Sequence, residues 1–142
     1  MSSLKVLVID RNEDFYSLCS DILASETTIN VYYSSELTAL ETLCSIPTDV
    51  VVMGQGVNQD HKLYLLQLIN LRWTTCKVLM VVDNQSETEA LSHLEASAVG
   101  FLHRKDTEQF LTKALIKINE GEAWVPRKMV PSLVERFKIV AA

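Results

Sequence analysis

Short runs of apolar, often β-branched residues recur along the chain at positions 5–10, 29–33, 49–53, 77–82 and, more briefly, 100–103. Each has the length of a strand. Where such a run is almost continuously apolar, as in "DVVVM", it reads as a strand buried on both faces. Between the runs, apolar residues return with helical spacing. Phe15, Leu18, Cys19, Ile22 and Leu23 mark a first helix, Leu37, Leu40, Leu43 and Cys44 a second, and Leu63, Leu66 and Ile69 a third. Ser86-x-x-Glu89 has the form of a capping box and opens a fourth, which turns Ala90, Leu91 and Leu94 inward. Asp106-x-x-Gln109 has the form of a cap for a fifth, with Phe110, Leu111, Ala114, Leu115 and Ile118 on one face and Gly121 placed to end it. Five such units in alternation predict an α/β protein: a doubly wound, five-stranded parallel sheet with helices on both faces.

The last stretch, "GEAWVPRKMVPSLVERFKIVAA", departs from this rhythm. Pro126 and Pro131 interrupt it, and Leu133, Val134, Phe137 and Ile139 suit a short sixth helix. From Arg127 on it is basic, with Lys128, Arg136 and Lys138 against Glu135. The expected division is a domain over 1–121 and a linker with an additional helix over 122–142, leading out of that domain.

Composition changes little. A chain of 142 residues with 48% hydrophobic and 22% charged residues is an ordinary single globular domain. Its net charge of −5 gives the body no general attraction for nucleic acid or an anionic membrane. No apolar run has the length of a membrane span, and "MSSLKVLVID" lacks the basic start and cleavage site of a signal peptide, so the expected compartment is the cytoplasm. The three cysteines have no metal-ligand spacing; Cys19 and Cys44 fall on apolar helical faces and read as buried thiols. His61, His93 and His103 lie in separate segments, which predicts no metal site. "DRNEDF", after the first strand, holds no glycine and so no phosphate-cradling loop. No Ser-His-Asp or Cys-His set is visible either, and the chain is not expected to be an enzyme.

The order of the elements, "KVLVID" at the start and "GFLHRKD" near the end together resemble the receiver domain of bacterial response regulators, over residues 4–121. The tail resembles the linker that follows the receiver in NarL/LuxR-type regulators and leads to a helix-turn-helix DNA-binding domain. The resemblance implies the flavodoxin-like receiver fold with an extra C-terminal linker helix. It also implies a phosphoryl-accepting aspartate at the end of the third strand, where this chain has Gly54. An acyl phosphate needs a carboxylate nucleophile, and glycine has none.

The other pocket positions depart too. The acidic pair that holds Mg²⁺ after the first strand is here Asp10 followed by Arg11. The Thr or Ser ending the fourth strand is Val82, without a hydroxyl, and the lysine after the fifth falls on Arg104 or its neighbour Lys105. Asp60 lies six residues past Gly54, too far to substitute, and Asp83 follows the wrong strand. The implied phosphorylation switch and its Mg²⁺ are therefore expected to be lost. Arg11 would pair with Asp10 or Asp83, or stand solvated at a helix start.

Trp124-Val125-Pro126-Arg127 resembles the Trp-apolar-Ser/Thr-Arg motif with which some degenerate LuxR-type receivers bind cyclic di-GMP. Pro126 replaces the hydroxyl residue, so packing of Trp124 against the domain is the competing reading. The expectation is a phosphorylation-independent receiver of a transcriptional regulator that homodimerises, through helices one and five or the face of helix four, strand five and helix five. It would reach DNA only through a C-terminal domain. The alternative is a cyclic di-GMP sensor using Trp124 and Arg127.

Overall fold

Among the described residues, strand and helix alternate from Leu4 to Asn119. The computed structural model describes residues 3–83 and 87–141, with backbone alone at 87 and 136–141. In chain order they form β1 (Leu4–Ile9), α1 (Glu13–Leu23), β2 (Ile29–Ser34), α2 (Ala39–Ser45), β3 (Val50–Met53), α3 (Gln59–Arg72), β4 (Lys77–Val82), α4 (Glu87–Glu95), β5 (Ala98–His103), α5 (Thr107–Asn119) and α6 (Val130–Ala141). The strands make one parallel sheet in the order β2-β1-β3-β4-β5. This is the doubly wound α/β architecture that the alternation predicts.

The sheet explains why its central strands, apart from Lys5 and Lys77 near their starts, are apolar throughout. Leu7, Ile9, Val51, Met53, Val78 and Met80 point to one side, where Ala39 and Leu43 of α2, Leu65, Leu66 and Ile69 of α3 and Ala90 of α4 cover them. Val6, Val8, Val50, Val52, Leu79 and Val81 point to the other, against Phe15, Cys19 and Leu23 of α1 and Leu111, Ala114, Leu115 and Ile118 of α5. Successive residues of these strands thus meet different helical layers, and past Lys5 and Lys77 at their starts all are buried in β1, β3 and β4.

Helix ends follow local chemistry. Asn12 accepts from Asp14 N at 3.1 Å to start α1, and Asn58 accepts from Asp60 N at 2.9 Å to start α3. At the end of α5, Gly121 has φ +97°; its N–H donates to Ile118 O and that of Glu122 to Lys117 O, both at 3.0 Å, a Schellman turn. Ser86 of the expected capping box lies outside the described residues. Asp106 precedes α5 but makes no side-chain cap; a 3₁₀ turn over Arg104–Asp106 leads in instead.

Three apolar residues are not where their spacing put them. Leu37 precedes α2 and is 85% exposed, and Leu63 is 39% exposed, because Lys62, Leu65, Leu66 and Ile69 form the inward row of α3. Cys44 is exposed, whereas Cys19 is buried and its thiol is pushed up to about 12 by that burial. α2 starts only at Ala39, and its short inward face is filled by Ala39 and Leu43.

The segment after α5 returns to the sheet. Trp124 N donates to Val99 O at 3.0 Å and Phe101 N to Trp124 O at 2.7 Å, so Trp124 forms a parallel bridge beside Gly100. The bridge depends on a glycine: a Cβ at position 100 would overlap Trp124 O and come within 3.0 Å of Trp124 Cβ. Val125 packs on the α2–α4 side and Met129 is buried there. Arg127–Met129 is a 3₁₀ turn leading into α6.

Candidate functional site

The strand order reverses between β1 and β3, and a crevice at the carboxyl ends of those strands is where ligands bind in this architecture. Two residues meet there. Asp10 leaves β1 with its side chain turned inward, 4% exposed, and Gly54 leaves β3 with its N–H donating to Ile9 O at 2.8 Å. A Cβ at Gly54 would overlap Asp10 Oδ2, and one at Gly56 would overlap Asp10 Oδ1. The Asp10 carboxylate thus occupies the space that side chains at 54 and 56 would otherwise take. Arg11 N donates to its Oδ1 at 2.6 Å.

A buried carboxylate needs compensating charge. Burial raises the Asp10 pKa above its ordinary 3.8; the Arg11 N–H, Lys62 and Arg104 pull it back, while Glu36 pushes it further up. Lys62 is the residue that the spacing did not bring forward. It sits in the inward row of α3, 5% exposed, where burial lowers its pKa and the carboxylates of Asp10 and Glu89 raise it. Its place was readable, because 62, 65, 66 and 69 share one helical face, but a lysine there looks like an interruption of an apolar row. His93 is buried nearby, stacked on Phe101 with centroids 6.3 Å apart; burial and Lys62 both favour its neutral form.

Arg11 pairs with neither Asp10 nor Asp83 through its side chain. Its Nε reaches Glu36 Oε1 at 3.4 Å, and His61 Nδ1 contacts the other oxygen of the same carboxylate. Glu36 is the partner because its side chain is only 7% exposed and lies beside β1's end, whereas Asp83 is exposed. Burial raises the Glu36 pKa, but hydrogen bonds from His61, Arg11 and the Asn58 backbone outweigh it and hold the carboxyl low. Glu36 and His61 were not anticipated as a pair, since 25 residues separate them.

The remaining candidates divide. Val82 is buried at the end of β4, beside His103 in the sheet register, and offers no hydroxyl. Arg104 turns toward the pocket, its guanidinium carbon 5.4 Å from the Phe15 ring centre, while Lys105 is exposed. Trp124 and Arg127 lie away from this pocket. The indole is half-buried against the α1–α5 layer, 6.1 Å from the Phe110 ring, and Arg127 is exposed. Among the described residues no three His, Cys, Asp or Glu side chains gather as a metal site.

Five parallel strands in this order, with an acid after β1 facing the loop after β3, define the receiver fold. Three solved structures share this fold. The isolated REC domain of RcsB from Salmonella enterica serovar Typhimurium, in the apo form, matches with TM-score 0.82 and 16% identity over 94% of this chain and 99% of that one. A LuxR-family two-component response regulator from Aurantimonas sp. matches at 0.80 and 15%, over 95% and 98%. RcsB solved as two dimers bound to two parallel DNAs matches at 0.76 and 15%, over 94% and 69%. No protein-family model matches the sequence, and no curated protein does.

Proposed function

We propose that this chain is a receiver module of a two-component-type transcriptional regulator that signals by protein–protein contact without phosphoryl transfer. One observation carries the reading: the acceptor position is Gly54, and the carboxylate of Asp10 fills the space beside it. The chemistry of the pocket supports it further. Mg²⁺ needs several hard oxygen donors, and here a single buried carboxylate is already engaged by Arg11 N and sits in the fields of Lys62 and Arg104. These cations offset the charge of Asp10 and repel a metal ion. Such a module would work in the cytoplasm and, as RcsB does in its DNA-bound dimers, reach DNA as a dimer. The domain would then be residues 1–121 with Trp124 and Met129 of 122–142 folded onto it, and the rest of 122–142 would serve as the linker toward a DNA-binding domain. Incubation with acetyl phosphate or beryllium fluoride plus Mg²⁺ tests the reading. The expected result is an unchanged intact mass and unchanged amide NMR spectrum; a stoichiometric adduct on an aspartate would overturn it.

Cyclic di-GMP sensing has less behind it. The Trp124 backbone is tied to β5 and its ring lies beside Phe110, while Pro126 presents no hydroxyl. The nucleotide is expected not to quench Trp124 fluorescence.

A further inference from the structure

A cavity lies at the opposite end of the sheet from Asp10, by the amino ends of β4 and β5. Lys77 and Ala98, which begin those strands, Leu94 near the end of α4, and Ala123, Val125 and Leu133 of the tail line about 280 Å³. Its walls are apolar apart from two charged side chains, Lys77 and Glu122. At roughly 30 Å³ for each water, this is room for about nine waters, or for one organic molecule of about ten non-hydrogen atoms.

The two charges are not equivalent. Glu122 has its own cation, since its Oε2 lies 3.6 Å from Lys117 Nζ. Lys77 pairs with no carboxylate among the described residues; its half-buried ammonium donates to Ile118 O, in the last turn of α5, at 3.0 Å. An ammonium has three donors, and this one gives a single N–H to a carbonyl dipole. A carboxylate entering the cavity would supply the counter-charge that a carbonyl cannot. More than one negative charge is disfavoured, because the Glu122 carboxylate stands on the same rim. The cavity thus joins an apolar space of limited size to one cationic end.

The tail makes one of its walls. The bridge of Trp124 to Gly100 fixes the backbone on either side of it, so Ala123 and Val125 are held where they close the cavity over the sheet.

We propose that this cavity binds a small amphipathic monocarboxylate, its apolar body against Leu94, Val125 and Leu133 and its carboxylate on Lys77 Nζ. The site stands apart from the contact-signalling reading above. What it adds to that reading is an input, since a bound molecule would fasten the tail to the sheet.

Octanoate, whose length and single charge suit the cavity, is the probe. Titrated into the isotope-labelled full chain, it should give saturable amide NMR shifts at Val99, Gly121 and Ala123, with a Kd of roughly 0.1–1 mM. Octanamide, the same body without the charge, should bind about 10-fold more weakly. Lys77→Met should weaken octanoate by a similar factor and leave octanamide as it was. That variant also loses a donor to α5, so a second one is needed. Ala123→Leu, at an exposed position, fills the cavity and should abolish binding of both while keeping the thermal midpoint of the wild type. Shifts that never saturate, equal binding of octanoate and octanamide, or octanoate binding unchanged in either variant would overturn the site. The phosphodonor experiment reads the Asp10 end of the sheet, so the two readings fail separately.

Discussion

At Gly54 the absent side chain does two things at once. On the proposed reading it leaves the acceptor position without a nucleophile, and it makes room for the carboxylate of Asp10, which is why restoring the acid alone is not expected to restore chemistry. Gly54→Ala should destabilise the protein by about 1–3 kcal/mol, since Asp10 must move within a packed pocket. Gly54→Asp should cost more and still give no phosphoryl adduct; urea unfolding and intact mass check both. Asp10 itself makes a pH prediction. Burial raises its folded pKa above 3.8, so the unfolded chain releases this proton first, and stability falls as pH rises from 3.8 through the folded value. Asp10→Asn should therefore gain on the wild type across that window and keep its gain above it. Glu36 acts oppositely: its lowered pKa contributes stability above the ordinary carboxylate value that is lost as pH falls. The difference between variant and wild type, measured by urea midpoints across the acid range, isolates Asp10. Removing the nearby cation, Lys62→Met, should raise the Asp10 pKa further in an NMR titration.

Among the elements, the segment that rejoins the sheet after α5 is the one whose role changes most. Its sequence reads as a way out of the domain, with Pro126 and Pro131 as breaks. Instead Trp124 bridges to Gly100 and covers the otherwise open edge of β5, and Met129 adds to the core. Trp124→Ala should then destabilise the domain by roughly 2 kcal/mol, below the cost for a fully buried tryptophan because the ring is only half-buried. Gly100→Ala should act in the same direction by forcing Trp124 away from β5. Arg127→Ala, at an exposed position, should leave the thermal midpoint unmoved. A midpoint loss at Arg127 equal to that at Trp124 would contradict this division of roles.

For the whole molecule, a pocket whose one buried carboxylate already lies in the fields of Lys62 and Arg104 is expected to be indifferent to metal. A site that bound Mg²⁺ only when folded would be stabilised by it in proportion to the logarithm of its concentration. Neither millimolar Mg²⁺ nor a chelator is expected to shift the thermal midpoint, and a phosphodonor should leave the sedimentation profile unchanged. An upward shift with Mg²⁺, abolished in Asp10→Asn, would show that the carboxylate still holds the ion.

The architecture was legible because it depends on periodicity. Unbroken apolar runs alternating with helical spacing specify strands covered on both faces, and the identity of Gly54, Arg11 and Val82 follows from counting along them. Gly121 was legible for a similar reason, since a left-handed turn at a helix end calls for glycine whatever packs around it. The charges around Asp10 were not legible. Lys62 and Glu36 lie 52 and 26 residues from it in sequence, and only the packing of α3 and the loop after β2 against the ends of β1 and β3 brings their fields to bear. The outward leucines of α3 were hidden as well: with apolar residues on most sides of the helix, no period marks which ones face the core. Periodicity determined the layers; contact between layers decided which side chains share a pocket and which face solvent.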